Sequence, residues 1–273
     1  MLINANAKIN VGLNVVSKRQ DGYHNLETVF FPVLRLCDKL QITARNDKRI
    51  QLTPLNLDKP CSDQDNLIYR VALEMQRQFD IQGVDIQYEK HIPTGAGLGG
   101  GSSDAAATAK AINKLFGLNL SKTELKNIVS RFGADCAFFI ENTPCYATGK
   151  GDILTPIDLN LNDWHLVIAK PQVSVSTAQA YSRIRPQLPK ENVCEILSQD
   201  VSSWQGRLRN DFEDSVFPLS PTIEKTKQTM YDLGASFALM TGSGASVFAL
   251  FKHLPENLND TLLSIDNKMF IFS

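Results

Sequence analysis

The sequence predicts an α+β chain organised in two parts, and three observations predict it. The chain opens in short β-type runs separated by turns. Segments with helical spacing of apolar residues follow. A polar stretch, Asp158 to Asp163, then precedes a second mixed half that begins with a strand-like run, Trp164 to Ala169. At 273 residues the chain exceeds the ~100–200 usual for one domain, so two modest domains sharing a cleft, 1–158 and 159–273, fit its length.

The elements are taken in chain order. Ile9 to Val16, the turn Arg19-Gln20-Asp21-Gly22 and Thr28 to Leu36 read as a hairpin running into a further strand. Asp65 and Asn66 are N-cap residues for a helix from Leu67 to Phe79, whose Leu67, Ile68, Val71, Ala72 and Met75 recur at three- and four-residue spacing. Val84 to Ile92 alternates like a strand. The segment Pro93 to Ala107 is rich in glycine, with Ser102 and Ser103 opening a helix that runs to Phe116 and stops at Gly117. Ser121 and Glu124 form a capping box for another helix, which Gly133 ends just before Ala134-Asp135. There is no internal repeat and no low-complexity tract.

Composition narrows the function. With 43% hydrophobic and 21% charged residues, the chain can bury a core without disulfides or metals. Lys and Arg number 28 against 29 Asp and Glu, with no run of five like charges, so no electrostatic footprint for nucleic acid or an anionic membrane is present. Any phosphate site must therefore be local. Cys37, Cys61, Cys136, Cys145 and Cys194 are odd in number and lack C-x-x-C spacing, which points to a reducing, cytoplasmic setting. No apolar run of ~18 residues and no signal-peptide pattern occurs. His91, His165 and His253 lack metal-ligand spacing, so no metal site is expected from protein side chains alone. Oligomeric state is not encoded in any pattern of this kind.

The glycine segment carries the chemistry. Five glycines lie within Gly95 to Gly101, and a chain so depleted of side chains lets successive backbone N–H groups approach an anion. The helix that follows adds unpaired donors and the positive end of its dipole. A plain tight turn needs one or two glycines and not five beside a helix. Gly95-Ala96-Gly97-Leu98-Gly99-Gly100 formally satisfies the dinucleotide fingerprint G-x-G-x-x-G, but helix-like segments occupy the stretch where a second strand ending in an acidic residue belongs. The Gly-Lys step Gly149-Lys150 continues with Gly151, so it is no Walker loop. The protein-kinase tripeptides H-R-D and D-F-G do not occur.

The segment Pro93-Thr94-Gly95-Ala96-Gly97-Leu98-Gly99-Gly100-Gly101-Ser102-Ser103-Asp104 resembles the phosphate-binding motif of the galactokinase, homoserine kinase, mevalonate kinase and phosphomevalonate kinase superfamily. Ala7 to Leu13 looks like that superfamily's first motif, and Met240 to Phe248 like its third. Arg19 to His24, Asp65-Asn66-Leu67, Gly133-Ala134-Asp135, Lys170-Pro171, Ser176-Thr177-Ala178 and Asn210 to Glu213 resemble, in order, the branch acting on a cytidine-diphosphate-linked methylerythritol. Cys136-Ala137 departs from that branch, which more often has valine and proline there. The resemblance implies an N-terminal ribosomal-protein-S5-domain-2-like domain and a C-terminal ferredoxin-like domain, with the active site in the cleft between them. It also implies transfer of phosphate from ATP to the 2-hydroxyl of the cytidylyl methylerythritol, in the non-mevalonate isoprenoid route.

Residue by residue, phosphoryl transfer needs positioning, charge neutralisation and a group to take the alcohol proton. Asp135 sits at an element junction, where its placement alone suits a helix cap; the resemblance makes it the catalytic base. Lys8 lies in an apolar β-type run, where a lysine is seldom buried unless paired. It either faces solvent or has a partner, and the resemblance pairs it with the catalytic aspartate. Asn10, two residues along, either hydrogen-bonds the substrate or satisfies backbone. Tyr23-His24 offer an aromatic face and a ring nitrogen suited to a pyrimidine. The resemblance places cytosine there, with Tyr181 on its other face. Lys150 reaches either the cytidine diphosphate or solvent, and Asn66 fits both an adenine contact and an N-cap. Gly242 belongs either to a second anion-binding nest or to a tight strand turn. Ser103 and the loop hold the triphosphate, and Mg2+ is expected to arrive with ATP. The rivals are homoserine or mevalonate kinase activity, a nicotinamide-dependent oxidoreductase, and a nucleotide-binding protein without catalysis.

Overall fold

The computed structural model describes residues 1–56 and 61–273, which form two compact units built from interleaved segments. The first comprises Met1–Lys8, Pro32–Thr94 and Gly99–Thr143; the second comprises Ile9–Phe31, Gly95–Leu98 and Pro144–Ser273. Two long strands, β1 (Leu2–Lys18) and β2 (His24–Ala44), pair with each other and contribute to both. Their turn is the expected one, with Arg19 N donating to Tyr23 O at 2.8 Å and Gly22 at φ +83°. Both strands outrun their predicted bounds. β1 is buried without interruption from Ala5 to Val15, so it lacks the alternation that would have marked its ends.

In the first unit β3 (Ile50–Pro54) lies parallel to β4 (Val84–Glu89), which pairs antiparallel with Lys39–Ala44 of β2. β4 stops short of Ile92 because the N–H groups of His91 and Ile92 turn to the Asp38 carboxylate. The helix α1 (Leu67–Phe79) has its predicted ends, and Asn66 caps it by accepting from Ile68 N at 2.9 Å. Its buried Ile68, Val71, Ala72 and Met75 face α2 (Gly100–Leu115), whose Ala105, Ala106, Ala109 and Ala111 keep the packed side small. α2 begins two residues before the predicted serine start. Gly99, at φ +73°, holds the cap position, and Ser103 is buried within the first turn. Gly117, at φ +62°, stops α2 as expected. α3 (Lys122–Val129) has the Ser121/Glu124 capping box but ends before Gly133; a 3-10 turn, Ala134–Cys136, then leads into α4 (Phe138–Glu141).

In the second unit β5 (Cys145–Thr148) pairs with Thr28–Phe30 of β2 and with β6 (Ile153–Pro156). Beyond it come β7 (His165–Lys170), α5 (Thr177–Ser182), α6 (Val193–Leu197), α7 (Glu213–Val216) and α8 (Pro221–Asp232), the last entered through proline. β8 (Phe237–Met240), β9 (Val247–Phe251), α9 (Leu258–Ile265) and β10 (Phe270–Phe272) complete it, with an antiparallel sheet in the order β10-β7-β9-β8. Val167, Ala169, Phe212, Ile223, Val247 and Leu262 lie in its core. The segment Asn210 to Glu213 acts structurally here. Asn210 Nδ2 donates to Met240 O at 2.7 Å and Gly242 O at 2.9 Å, while Glu213 Oε1 accepts from Met240 N at 2.9 Å. These bonds hold the start of the third glycine motif.

Candidate active site

Within the first unit, Lys8, which the resemblance pairs with the catalytic aspartate, is 3% exposed, and its Nζ lies 3.3 Å from Asp135 Oδ2. Asp135 comes from the 3-10 turn that follows Gly133, and its side chain is one-third exposed, so the carboxylate is fixed on one side and open on the other. The turn rests on the start of α2. The Cys136 thiol hydrogen-bonds the Ser102 hydroxyl, and burial pushes that thiol up to about 11, which keeps it protonated and inert. A Cβ on Gly99 would stand 3.1 Å from Lys8 Cγ and 2.9 Å from Phe139 Cζ. Lys8, Asp135 and the first turn of α2 thus form one contiguous group.

That first turn has no side-chain cap among the described residues. Ser103 N is taken by Gly99 O at 2.9 Å, leaving the N–H groups of Gly100, Gly101 and Ser102 at the positive end of a 16-residue helix. The arrangement suits a phosphate. The loop glycines divide by role. Gly95, at φ +63°, has nothing nearer than Ser174 Oγ at 4.0 Å, and Gly101 nothing nearer than Leu67 Cδ1 at 3.8 Å. Gly97 is different, because a Cβ there would stand 2.2 Å from Thr241 O. Its counterpart Gly242, at φ +58°, would meet Gly97 O at 3.0 Å. Ser246 N donates to Ala96 O at 3.2 Å, so the middle of the first glycine loop and the third motif meet backbone to backbone within the second unit. Pro93, Thr94 and Leu98 complete the loop, Leu98 buried.

The other predicted residues fall as follows. Asn66 is the α1 cap, and its amide nitrogen donates to no described residue. Asn10 is 2% exposed; its Nδ2 donates to Thr28 Oγ1 at 2.8 Å, and its backbone N donates to Thr241 Oγ1 at 2.8 Å. His24 stacks on Tyr181 with centroids 4.9 Å apart and planes 21° from parallel, and Tyr181 rests edge-on against Phe212. Burial, helped by Lys18, holds the His24 imidazole below its ordinary value, so the ring is neutral near pH 7. Tyr23 is 61% exposed, with Lys150 Nζ 4.8 Å from its ring centre. The structure thus brings together His24 with Tyr181, Tyr23 with Lys150, and Lys8 with Asp135. Sequence reasoning missed the meeting of Thr177 Oγ1 with Ser243 Oγ at 3.2 Å, and the part of Thr241 in joining β1 to the third motif. Neither had a signal beyond an ordinary hydroxyl. Among the described residues no group of three His, Cys, Asp or Glu side chains could hold a metal, and no helix is long and apolar enough to cross a membrane.

Comparison with known proteins matches residues 66–142 to the GHMP kinases N terminal domain and residues 191–259 to the GHMP kinases C terminal family. A relative from Bacteroides fragilis, 4-diphosphocytidyl-2-C-methyl-D-erythritol kinase, is 47% identical over 253 residues, 92% of each chain. A crystal structure of 4-(cytidine 5'-diphospho)-2C-methyl-D-erythritol kinase superposes with a TM-score of 0.82 at 31% identity, covering 99% of this chain and 98% of that one. The Methanococcus jannaschii mevalonate kinase gives 0.70 at 15% identity, covering 100% and 96%, a likeness of fold alone.

Proposed function

The chain belongs to the 4-diphosphocytidyl-2-C-methyl-D-erythritol kinases within the GHMP kinases, and on that premise we propose how its residues divide the work of their reaction. The reaction is ATP-dependent phosphorylation of the 2-hydroxyl of 4-diphosphocytidyl-2-C-methyl-D-erythritol, yielding the 2-phosphate and ADP in the non-mevalonate isoprenoid pathway. The observation that carries the assignment of roles is the Lys8–Asp135 pair beside the uncapped start of α2.

Asp135 takes the proton of the 2-hydroxyl while that oxygen bonds to the γ-phosphorus and the bond from phosphorus to the ADP oxygen breaks. Lys8 holds the carboxylate in place and adds positive charge where negative charge develops. The loop Pro93 to Ser103 binds the triphosphate through its backbone, with Gly95 and Gly101 leaving room for the oxygens, and Asn66 offers its amide nitrogen to the adenine. Mg2+ would come with ATP, held through the triphosphate that the loop binds, and would supply charge neutralisation there. Tyr23, His24 and Tyr181 take the cytosine. A neutral imidazole and aromatic faces suit an uncharged base, and Lys150 over Tyr23 suits the diphosphate beside it. Asn10 and Gly242 complete the acceptor side. The family matches at 66–142 and 191–259 support an ATP-binding domain over 1–158 and a second domain over 159–273, and the odd number of cysteines without C-x-x-C spacing supports work in the cytoplasm.

A coupled ADP-release assay with Mg-ATP and 4-diphosphocytidyl-2-C-methyl-D-erythritol tests this beside mevalonate and homoserine. Turnover is expected on the cytidylyl alcohol alone. Turnover on either rival would keep the ATP loop and overturn the assignment of Tyr23, His24 and Tyr181.

A further inference from the structure

One lysine, its side chain 14% exposed, ties together the two ends of the glycine loop. Lys90 stands three residues before Pro93, and Asp104 directly follows Ser103. Lys90 Nζ donates to Asp104 Oδ2 at 2.6 Å and also to Asp38 Oδ2. Asp38 is fully buried on β2, and its other oxygen accepts from His91 N at 2.6 Å and Ile92 N at 2.8 Å. The strand leading into the loop, the helix leading out of it and the long strand beside them therefore meet at one ammonium group. A Cβ on Gly100 would lie 3.0 Å from Ile92 Cγ2 and 3.4 Å from Lys90 Nζ, so the cluster sits directly against the first residue of α2.

Stability alone explains this cluster poorly. Buried ion triads lose hydration that their mutual attraction does not always restore, and apolar replacements of similar volume are often as stable or more so. Here the cost is visible. Asp104 Oδ1 is buried with no hydrogen-bond partner among the described residues, and burial pushes that carboxyl up to about 7 against the pull of Lys90. What the ions supply and methyl groups cannot is direction, because the hydrogen bonds from Lys90 to Asp38 and Asp104, with those from His91 N and Ile92 N to Asp38, fix where each element stands relative to the others. We propose that Asp38, Lys90 and Asp104 form a clasp across the base of the glycine loop, with Lys90 the positioning residue that sets its backbone donors for a nucleoside triphosphate. This rests on the reading of the loop as the ATP phosphate site.

The test compares the Kd for ATP with that for adenosine by titration calorimetry, in the full-length protein, well below its Tm. The wild type is expected to bind ATP the more tightly. Lys90→Met should weaken ATP binding roughly tenfold or more, since removing one partner of a buried pair leaves the carboxylates unmatched. It should leave adenosine within about twofold, because adenosine makes no call on the loop donors. Lys90→Arg should recover most of the loss. If Lys90→Met does not fold, the triple variant Asp38→Asn/Lys90→Met/Asp104→Asn, which leaves no buried charge unmatched, carries the same comparison. An unchanged Kd for ATP, or a parallel loss of adenosine, would overturn the clasp while leaving the phosphate loop standing. A wild type that binds ATP and adenosine alike would overturn the loop reading and the clasp with it.

Discussion

A lysine at 3% exposure in the middle of a β-strand requires a counter-charge, and Asp135 supplies it while keeping one side of its carboxylate open. Asp135→Asn keeps the shape and removes the proposed base, so kcat should fall by about 10²–10⁴ while ATP affinity stays near its original value. A near-normal kcat in the folded variant would remove Asp135 from the chemistry. The aromatic residues make a separate prediction. Tyr181→Ala removes the partner of His24 and should raise KM for the cytidylyl acceptor by an amount worth ~1–3 kcal/mol, with KM for ATP unmoved. His24 adds a pH signature. Its folded value lies below the unfolded one, so the neutral ring's contribution to stability is fully present above about pH 6.5 and is lost as pH falls through the folded value. KM for the acceptor should rise over the same acid range, and His24→Gln should flatten that rise. An identical profile in His24→Gln would place the titration elsewhere.

Glycines that look alike in the loop do different things once the elements around them are in place. Gly97 is spent on close approach to Thr241, and at φ +75° it is also in a backbone region that other residues avoid. Gly97→Ala should cost about 3 kcal/mol or more and lower Tm by several degrees, since its Cβ meets backbone and not a movable side chain. Gly101 sits in the first turn of α2, where a Cβ would make only an ordinary contact, with Leu67 Cδ1 at 3.8 Å. Gly101→Ala gains up to ~1 kcal/mol of helix propensity, so Tm should hold or rise while affinity for ATP falls. Equal damage to stability from both substitutions, measured by thermal melts beside ATP titrations, would contradict this division of roles. The start of α2 carries the same lesson, because Ser102 and Ser103 read as openers yet Gly99 holds the cap.

For the whole molecule, a ligand that binds only the folded chain stabilises it by about 2.7 kcal/mol at a hundred times its Kd. Mg-ATP at that excess should raise Tm by several degrees, whereas NADH should leave it unmoved despite the formal G-x-G-x-x-G match at Gly95 to Gly100. A shift with NADH would reopen the oxidoreductase alternative. With 28 basic against 29 acidic residues, the chain as a whole has little net field to steer so anionic a pair of substrates. Under the proposed division of roles, local devices supply the attraction: the start of α2, Lys8 and Lys150.

The features readable along the chain are those whose physics is local. Asn66 followed by apolar residues at helical spacing marks α1 to its last residue, Ser121 with Glu124 marks the start of α3, Gly117 the end of α2, and Asp21-Gly22 the turn after β1. Each depends on hydrogen bonds and steric limits spanning a few residues, as does the recognition that a run of glycines before a helix can hold phosphate. Resemblance carried the family and its reaction. The chain could not say how far β1 extends, because a strand buried on both faces shows no alternation. Nor could it say that Lys8 reaches Asp135, that Tyr181 covers His24, that Gly97 meets Thr241, or that Lys90 joins Asp38 to Asp104. Those contacts join residues distant in the chain, and which ones meet depends on how the packed strands and helices bring the chain back on itself, a consequence of burial and topology and not of any neighbouring residue's preference.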